Sequence, residues 1–400
     1  MANTLTAFNS ELWSAVAQEV IYKENVVLPI ANAEFKAGLK KGMDVLHKPY
    51  PSAVLSAVDY TKGTDVTLQD IGATDEYVTI DQQKIVPFEV DDIDRIQNKY
   101  DAAAMYATMA GKALKNGLEH KVLSVMQSAA GLYIDDGDMP GGTAGNYISP
   151  STSNINNIFL AAGRKLSNRL IGAANRVALI GPRLKEVLLD YLGGKDTEMA
   201  DRVGENGVIG RRFGFDIIET QNLPFSAKWT PADNPSNGQT LTIAGVTFTF
   251  VSSLGSTPGN VLIGANTAAT LDNLVAAINK SSGAGTKYVE LAFKDRMILT
   301  QNGITATDGT SYITISGYGD ISTATSVSAD AWSLQRSHAI FCVRKAVDVV
   351  IQKDVTFEFR KPQLRLGRIV LAWMLYGAKV FHLNTDSIVD VRIDASDWTN

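Results

Sequence analysis

The apolar positions along the chain change period several times, and each change predicts an element. Residues 8 to 22, FNSELWSAVAQEVIY, place Phe8, Leu12, Val16 and Val20 at near-helical intervals behind the capping candidates Asn9 and Ser10, which predicts a short amphipathic helix. From Val26 to Pro51 the pattern loosens around Pro29, Gly38, Gly42, Pro49 and Pro51, and the segment reads as an extended arm. Residues 52 to 90 alternate Thr- and Val-rich runs with turn signals at Lys62-Gly63 and Asp70 to Gly72, then close on YVTIDQQKIVPFEV. Tyr77, Thr79, Val86, Phe88 and Val90 suit strands, so this stretch predicts a long two-stranded hairpin, more polar than a core hairpin. At VDDIDRIQNKY the period becomes helical. Ile93, Ile96, Tyr100, Ala103, Ala107, Ala110, Leu114, Leu118, Val122 and Met126 recur every three or four residues, and Asp91 can cap. One helix over 92–130, roughly 38 residues and on the order of 55 Å long, is expected to serve as a spine.

A different alternation follows. Ser153 can cap a helix carrying Ile155, Phe159, Ala162 and Leu166; NRVALI predicts a buried strand; Gly181-Pro182 ends it and opens a helix through Tyr191; and FGFDIIET predicts another strand. This is an α/β layer. Between about Phe225 and Trp332, Thr, Ser, Gly and Asn dominate and charged residues thin to roughly one in nine. There GQTLTIAGVTFTFV predicts a hairpin turning at Ala244-Gly245, TLDNLVAAINK one helix, and VELAFKDRMILTQN and SYITISGY further strands, as in a separate β-rich module able to fold alone. Earlier character resumes with HAIFCVRKAVDVVIQK, VTFEFRK and the long strand LGRIVLAWMLYGAKVFH, so the module is inserted, not appended.

Composition sets the scale. A chain of 400 residues exceeds one ordinary core, since single cores stop growing near roughly 250–300 residues, so two or more lobes are expected. Hydrophobic content of 45% and charged content of 20% match folded globular chains, and no apolar run predicts a membrane span. The N-terminal MANTLTAFNSELW has no basic-then-apolar signal pattern, so synthesis in the cytosol is expected. Cys342, flanked by Ile340, Phe341 and Val343, reads as a small buried hydrophobe. A net charge of −5 disfavours a surface that neutralises many phosphates, which argues against sequence-specific DNA binding.

Catalytic and metal chemistry is mostly not signalled. His47, His120, His338 and His382 lie far apart, without the paired spacing a zinc site needs. The acidic run IDDGD, Ile134 to Asp138, lacks the ligand alternation of a calcium loop and reads as a solvated turn. Neither a P-loop nor a GxSxG elbow occurs, and no cofactor or metal is expected. The stretch GENGVIGRRFGFDIIETQNLP, with Gly204, Gly207 and Gly210 beside Arg211 and Arg212, has the glycine density of a phosphate cradle. A dinucleotide loop, however, leaves a strand and enters a helix whose N–H groups hold the phosphate, and here a strand follows instead. A mobile loop using glycine for backbone freedom is the expectation.

The order of these parts resembles the major capsid proteins of tailed bacteriophages, the HK97-like fold. VLPIANAEFKAGLKKGMDVL, the helix from Asp92 to Ala130, NRVALIGPRLKEVLL, GVIGRRFGFDIIETQNLP and RIVLAWMLYGAKVFHLNTDSIVDV carry the resemblance. It implies an α+β chain with an N-terminal arm over 1–50, an E-loop hairpin over 51–88, a P-domain from 89–149 and 345–400, and an A-domain from 150–224 and 336–344. The β-rich domain over 225–335 occupies the place where P22-like coat proteins carry an insertion. The resemblance further implies a non-enzymatic shell protein, self-assembling into pentamers and hexamers of an icosahedral virion around double-stranded DNA without sequence specificity. A scaffolding protein and a portal would be its partners, and assembly would occur in the host cytoplasm. It would place Gly204, Gly207, Gly210, Arg211 and Arg212 in the loop at each capsomer axis, and Tyr60, Lys62 and Asp65 of the E-loop against a neighbouring subunit. Within the same fold, an encapsulin-type nanocompartment is the alternative; outside it, an α/β enzyme with a β-rich accessory domain. A long polar hairpin and an arm cannot bury enough of their own surface to offset their ordering entropy, which independently favours assembly.

Overall fold

The computed structural model describes residues 23–33, 45–93, 102–194, 210–327, 332–362, 366–396 and 398. The expected helix over 8–22 and the loop carrying Gly204 and Gly207 lie outside them. The arm enters through a turn at Val27–Ile30 and bridges Asn32 to Asp348. Strand β1 (Val45–His47), β2 (Tyr50–Pro51), β3 (Ala73–Thr74), β4 (Tyr77–Thr79) and β5 (Gln82–Val90) follow, then helix α1 (Ala102–Ser128). Asp91 accepts the Ile93 N–H at 2.8 Å, the capping role expected of it. The described helix covers most of the 92–130 spine, residues 94–101 lying outside the described set.

The long hairpin takes a different form from the one expected. Only β2 and β3 pair at its root; β4 pairs with β1 and β5 joins a separate sheet, so Tyr77 and Thr79 serve one sheet and Val86, Phe88 and Val90 another. Period-2 patterning marks strands but does not name their partners, and here partners distant in sequence win.

Next come β6 (Leu132–Ile134), α2 (Ile155–Asn168), β7 (Arg176–Ile180), α3 (Pro182–Gly193), β8 (Arg211–Arg212) and β9 (Phe215–Glu219). The cap position of α2 is Asn154, one residue beyond the expected Ser153, and Ile155, Phe159, Ala162 and Leu166 are all buried. Pro182 occupies the first turn of α3, where its missing N–H has no partner to lose. The IDDGD turn is not solvated as expected. Asp135 is buried and accepts the Gly145 N–H at 2.8 Å, while Asp138 pairs with Lys165 at 2.6 Å, so these carboxylates pin the 136–145 loop.

The segment after Leu223 contains β10 (Pro224–Trp229), β11 (Thr240–Ile243), β12 (Val246–Val251), β13 (Asn260–Leu262), α4 (Thr267–Asn279), α5 (Phe293–Gln301), β14 (Thr305–Asp308), β15 (Ile313–Tyr318) and β16 (Thr323–Thr325). Ala244 and Gly245, with φ of 53° and 78°, make the tight turn expected between β11 and β12. VELAFKDRMILTQN is a helix, not the expected strand. Leu299 of α5 is buried, and the Arg296 guanidinium donates to the carbonyls of Ala277 and Ile278, both at 2.7 Å, satisfying the end of α4. That docking partner decides the conformation of a run whose local pattern is ambiguous.

The chain closes with β17 (Trp332–Val343), β18 (Asp348–Arg360), β19 (Arg368–Lys379) and β20 (Ile388–Asp394). A nine-stranded sheet runs β14-β15-β10-β17-β7-β9-β8, with β20 on the other side of β17 and β6 beyond it. β10 and β17, the strands on either side of residues 230–331, pair with each other inside this sheet. One hydrophobic cluster correspondingly runs from Phe159, Phe215 and Phe341 to Trp229, Phe248 and Phe250. A second cluster packs α1 through Leu114, Leu118, Val122 and Met126 against Val349, Ala372, Met374 and Tyr376. Fully buried Cys342 belongs to it, its thiol pushed up to about 12 by burial, as expected of a small hydrophobe.

Candidate functional site

Residues 52–72 project as a finger. Its root is held by β2 and β3 and by the Ser52 N–H donating to the Gly72 carbonyl at 2.9 Å. Farther out, ladder bonding gives way to one side chain: Gln69 accepts the Ser56 N–H at 2.8 Å and donates to the Ser56 carbonyl at 2.6 Å. The tip turns at Gly63, whose φ of +88° suits glycine, with the Thr64 N–H donating to the Thr61 carbonyl at 3.1 Å. Tyr60, Lys62 and Asp65 surround this turn and are exposed. Val54, Leu68 and Ile71 stand 95%, 91% and 82% exposed, which is unusual for apolar side chains unless a partner covers them.

A second uncovered surface lies on the three-stranded sheet β18-β19-β5. On β19, Val370, Ala372, Met374 and Tyr376 alternate into the core against α1, where Phe357 of β18 approaches Gly111. The intervening Ile369, Leu371 and Trp373 face the other way and join no core cluster. The register aligns Trp373 with Ile85 and Leu371 with Pro87, extending the apolar face across β5. A strand apolar on both faces is the pattern of one buried on both, and the described residues cover only one.

At the sheet's far edge, Gly210 has φ of +62°, and Phe213 and Gly214, at 50° and 85°, form the tight β8–β9 turn. Arg211 donates to the Ala173 carbonyl at 3.0 Å and lies 3.8 Å from Asp216, while Arg212 donates to the Arg211 carbonyl at 3.0 Å. Strand follows the glycines, so no helix N-terminus is aimed at them. Gly204, Gly207, Asp201 and Glu205 lie outside the described residues.

A polar seam joins α1 to the loop after β9 and the turn after β15. Glu119, almost wholly buried, accepts from the Val26 N–H at 2.8 Å and from Asn222 and Thr220, both at 3.3 Å. Burial holds its carboxyl above the usual range. His120 stacks on Tyr318 with centroids 3.9 Å apart and meets Asn222 Oδ1 at 3.0 Å, and burial, with the charge of Lys23 adding to it, brings its pKa down to about 4. A neutral imidazole therefore donates to Asn222, whose amide donates on to Glu119. Asp320 accepts the Arg183 N–H at 2.6 Å and is pushed up to about 6 by burial. Periodicity counted 119 and 120 as positions of an amphipathic helix and missed the network, for which the chain offered no spacing signal.

The histidines stay apart, His47 beside Asp75, His338 bonded to Asp390 at 2.8 Å, and His382 near Tyr50. Among the described residues, no cluster of His, Cys, Asp and Glu could hold a metal ion.

Comparison with known proteins places this architecture. A profile of the phage capsid protein family matches residues 73–273, half of the 400-residue chain. The chain belongs to that phage capsid protein family. Solved structures agree on the fold. A structure from Mycobacterium phage Che8 is 17% identical with a TM-score of 0.57, over 96% of this chain and 96% of that one. The capsid structure of Cyanophage P-SCSP1u is 14% identical with a TM-score of 0.56, over 98% of this chain and 94% of that one. The Cyanophage Pam1 capsid asymmetric unit is 10% identical with a TM-score of 0.52, over 99% of both chains. No curated protein sequence matches the chain. As a major capsid protein of HK97-like fold, it has in the finger, the outer sheet face and the β8–β9 edge three surfaces that its described residues leave open.

Proposed function

We propose that this capsid protein closes into pentamers and hexamers of an icosahedral shell around double-stranded DNA by laying the finger of each copy across the open sheet face of the next. The observation that supports it is the coexistence, among the described residues, of an apolar finger with no core and an apolar face with no cover. Joined head to tail, the two make a heterologous contact that closes into rings. The finger reaches on the order of 30 Å at about 3.3 Å per residue, enough to cross a neighbouring protomer. Tyr60, Lys62 and Asp65 at its tip then meet the neighbour, and Gly210, Arg211 and Arg212 lie where copies converge on a capsomer axis with Gly204 and Gly207. DNA is enclosed without sequence readout, consistent with the net charge of −5. A scaffolding protein and a portal complete the assembly, in the host cytoplasm, and no catalytic role is proposed. Negative-stain microscopy of the expressed protein, with its scaffold supplied where required, should show capsomers or shells. A strictly monodisperse monomer under all assembly conditions would overturn the reading.

A further inference from the structure

The arm's attachment to the body is divided into a half whose polar groups are matched and a half that holds mismatched ones. From Val27 to Asn32 the contacts are good. Val27 and Ile30 are buried in the second cluster, the Asn32 N–H donates to the Val347 carbonyl at 2.8 Å, the Val349 N–H donates to the Asn32 carbonyl at 3.0 Å, and Asn32 Nδ2 donates to Asp348 at 2.5 Å. From Lys23 to Val26 they are mixed: the Val26 N–H donates to Glu119 at 2.8 Å, but the two polar side chains ahead of it are incompletely matched. The Lys23 ammonium enters the seam and donates to the carbonyls of Gln221 at 2.6 Å and Tyr318 at 2.8 Å, yet among the described residues no carboxylate lies within ion-pair distance of it. Two residues on, Asn25 Oδ1 is buried with no hydrogen-bond partner among the described residues. Flipping that amide would only exchange an orphan acceptor for an orphan donor. A half-buried cation without a contact anion and an unpaired amide oxygen each oppose the seated state.

We propose that residues 23–26 form a releasable strap, hinged at Val27, whose uncompensated polar groups Lys23 and Asn25 keep its seat on the α1 seam weak while residues 27–32 stay fastened. Burial lowers the Lys23 pKa from 10.5 to about 8, the charges of Asp320 and Glu119 only partly offsetting it. The groups facing Lys23 are Glu119 and His120 from α1, Tyr318 and Asp320 from the turn after β15, with Glu219 and Arg183 acting on Asp320. Burial raises the phenol of Tyr318 and holds His120 neutral, so Lys23 is the group among them that titrates between pH 8 and 10. The released strap carries an ordinary lysine, which keeps its proton longer, so seating tightens as pH rises. Linkage gives on the order of a thirtyfold gain between pH 8 and 10.

The test is subtilisin cleavage of the full-length capsid protein within residues 23–26, normalised at each pH to cleavage of a free peptide of the same sequence. Wild-type cleavage should fall about thirtyfold from pH 8 to 10, Lys23→Met should show no such fall, and Asn25→Leu should be cut at least fivefold more slowly at pH 7. A wild-type rate that is flat or rises over that range overturns the proposal. So does a Lys23→Met chain that keeps the fall, or an Asn25→Leu chain cut as fast as wild type. If Asn25→Leu fails to fold, the wild-type pH series decides by itself. The readout needs no shell, so failure of the assembly reading leaves it intact.

Discussion

Leu68→Asp separates folding from assembly. Leu68 is 91% exposed on the finger and belongs to no core cluster of its own chain, so the protomer should fold with unchanged circular dichroism and melting temperature. Covered by a neighbour, a leucine contributes about 1.5–3 kcal/mol, all of which the substitution removes. An aspartate held in the same apolar contact without a partner adds a penalty of about 1–3 kcal/mol. The combined loss is about 2.5–6 kcal/mol per contact, and at about 1.4 kcal/mol per tenfold this weakens each contact by two to four orders of magnitude. Closed rings repeat the loss at every junction, so shells should vanish at concentrations where wild type assembles fully. The assay is size-exclusion chromatography with light scattering, followed by negative-stain microscopy at matched concentration. Ile85→Asp, on the opposing face, should act alike. Shells forming from Leu68→Asp at the wild-type concentration would refute the argument that the finger's apolar side chains drive association.

Two further predictions concern the protomer. His120, lowered to about 4 in the folded chain against 6.5 unfolded, contributes stability that is present above pH 6.5 and is lost as pH falls through that window towards 4. Asp320, raised to about 6 from 3.8, acts with the opposite sign between those values, so the two partly cancel in wild type. His120→Gln should therefore melt higher at pH 5 relative to pH 7 than wild type does, and Asp320→Asn lower; thermal unfolding at the two pH values checks both. In α1, a Cβ at Gly117 meets nothing within 4 Å, so Gly117→Ala should stabilise by about 0.5–1 kcal/mol. Gly214, at φ of +85°, should lose about 1 kcal/mol on the same change, and denaturant midpoints distinguish the two.

Much of this molecule was legible in one dimension. The spine, the buried strand NRVALI, the proline-started helix after it and the Ala244-Gly245 turn follow from local period and punctuation, because backbone geometry there is set by near neighbours in sequence. The finger's tip at Lys62-Gly63 was equally readable, and the strand after the arginine loop was enough to argue against a phosphate cradle. What failed did so where a distant partner decides. β5 carries strand patterning, but only β19, remote in sequence, determines that it leaves the hairpin. VELAFKDRMILTQN carries enough β-forming residues to suggest a strand, yet its place against α4 makes it helical. The run IVLAWML reads as a long strand, without any sign of which of its faces the rest of the chain would cover. The seam around Glu119 and His120 arises only when α1, the loop after β9 and the turn after β15 converge, and no spacing in the chain encodes that meeting. The sequence by itself determined the elements, their order and the family they resemble, since hydrophobic period and turn chemistry act over a few residues. The tertiary structure decided which strands share a sheet, which polar groups are buried without enough partners, and which apolar surfaces a single protomer cannot cover, since those depend on contacts between segments hundreds of residues apart.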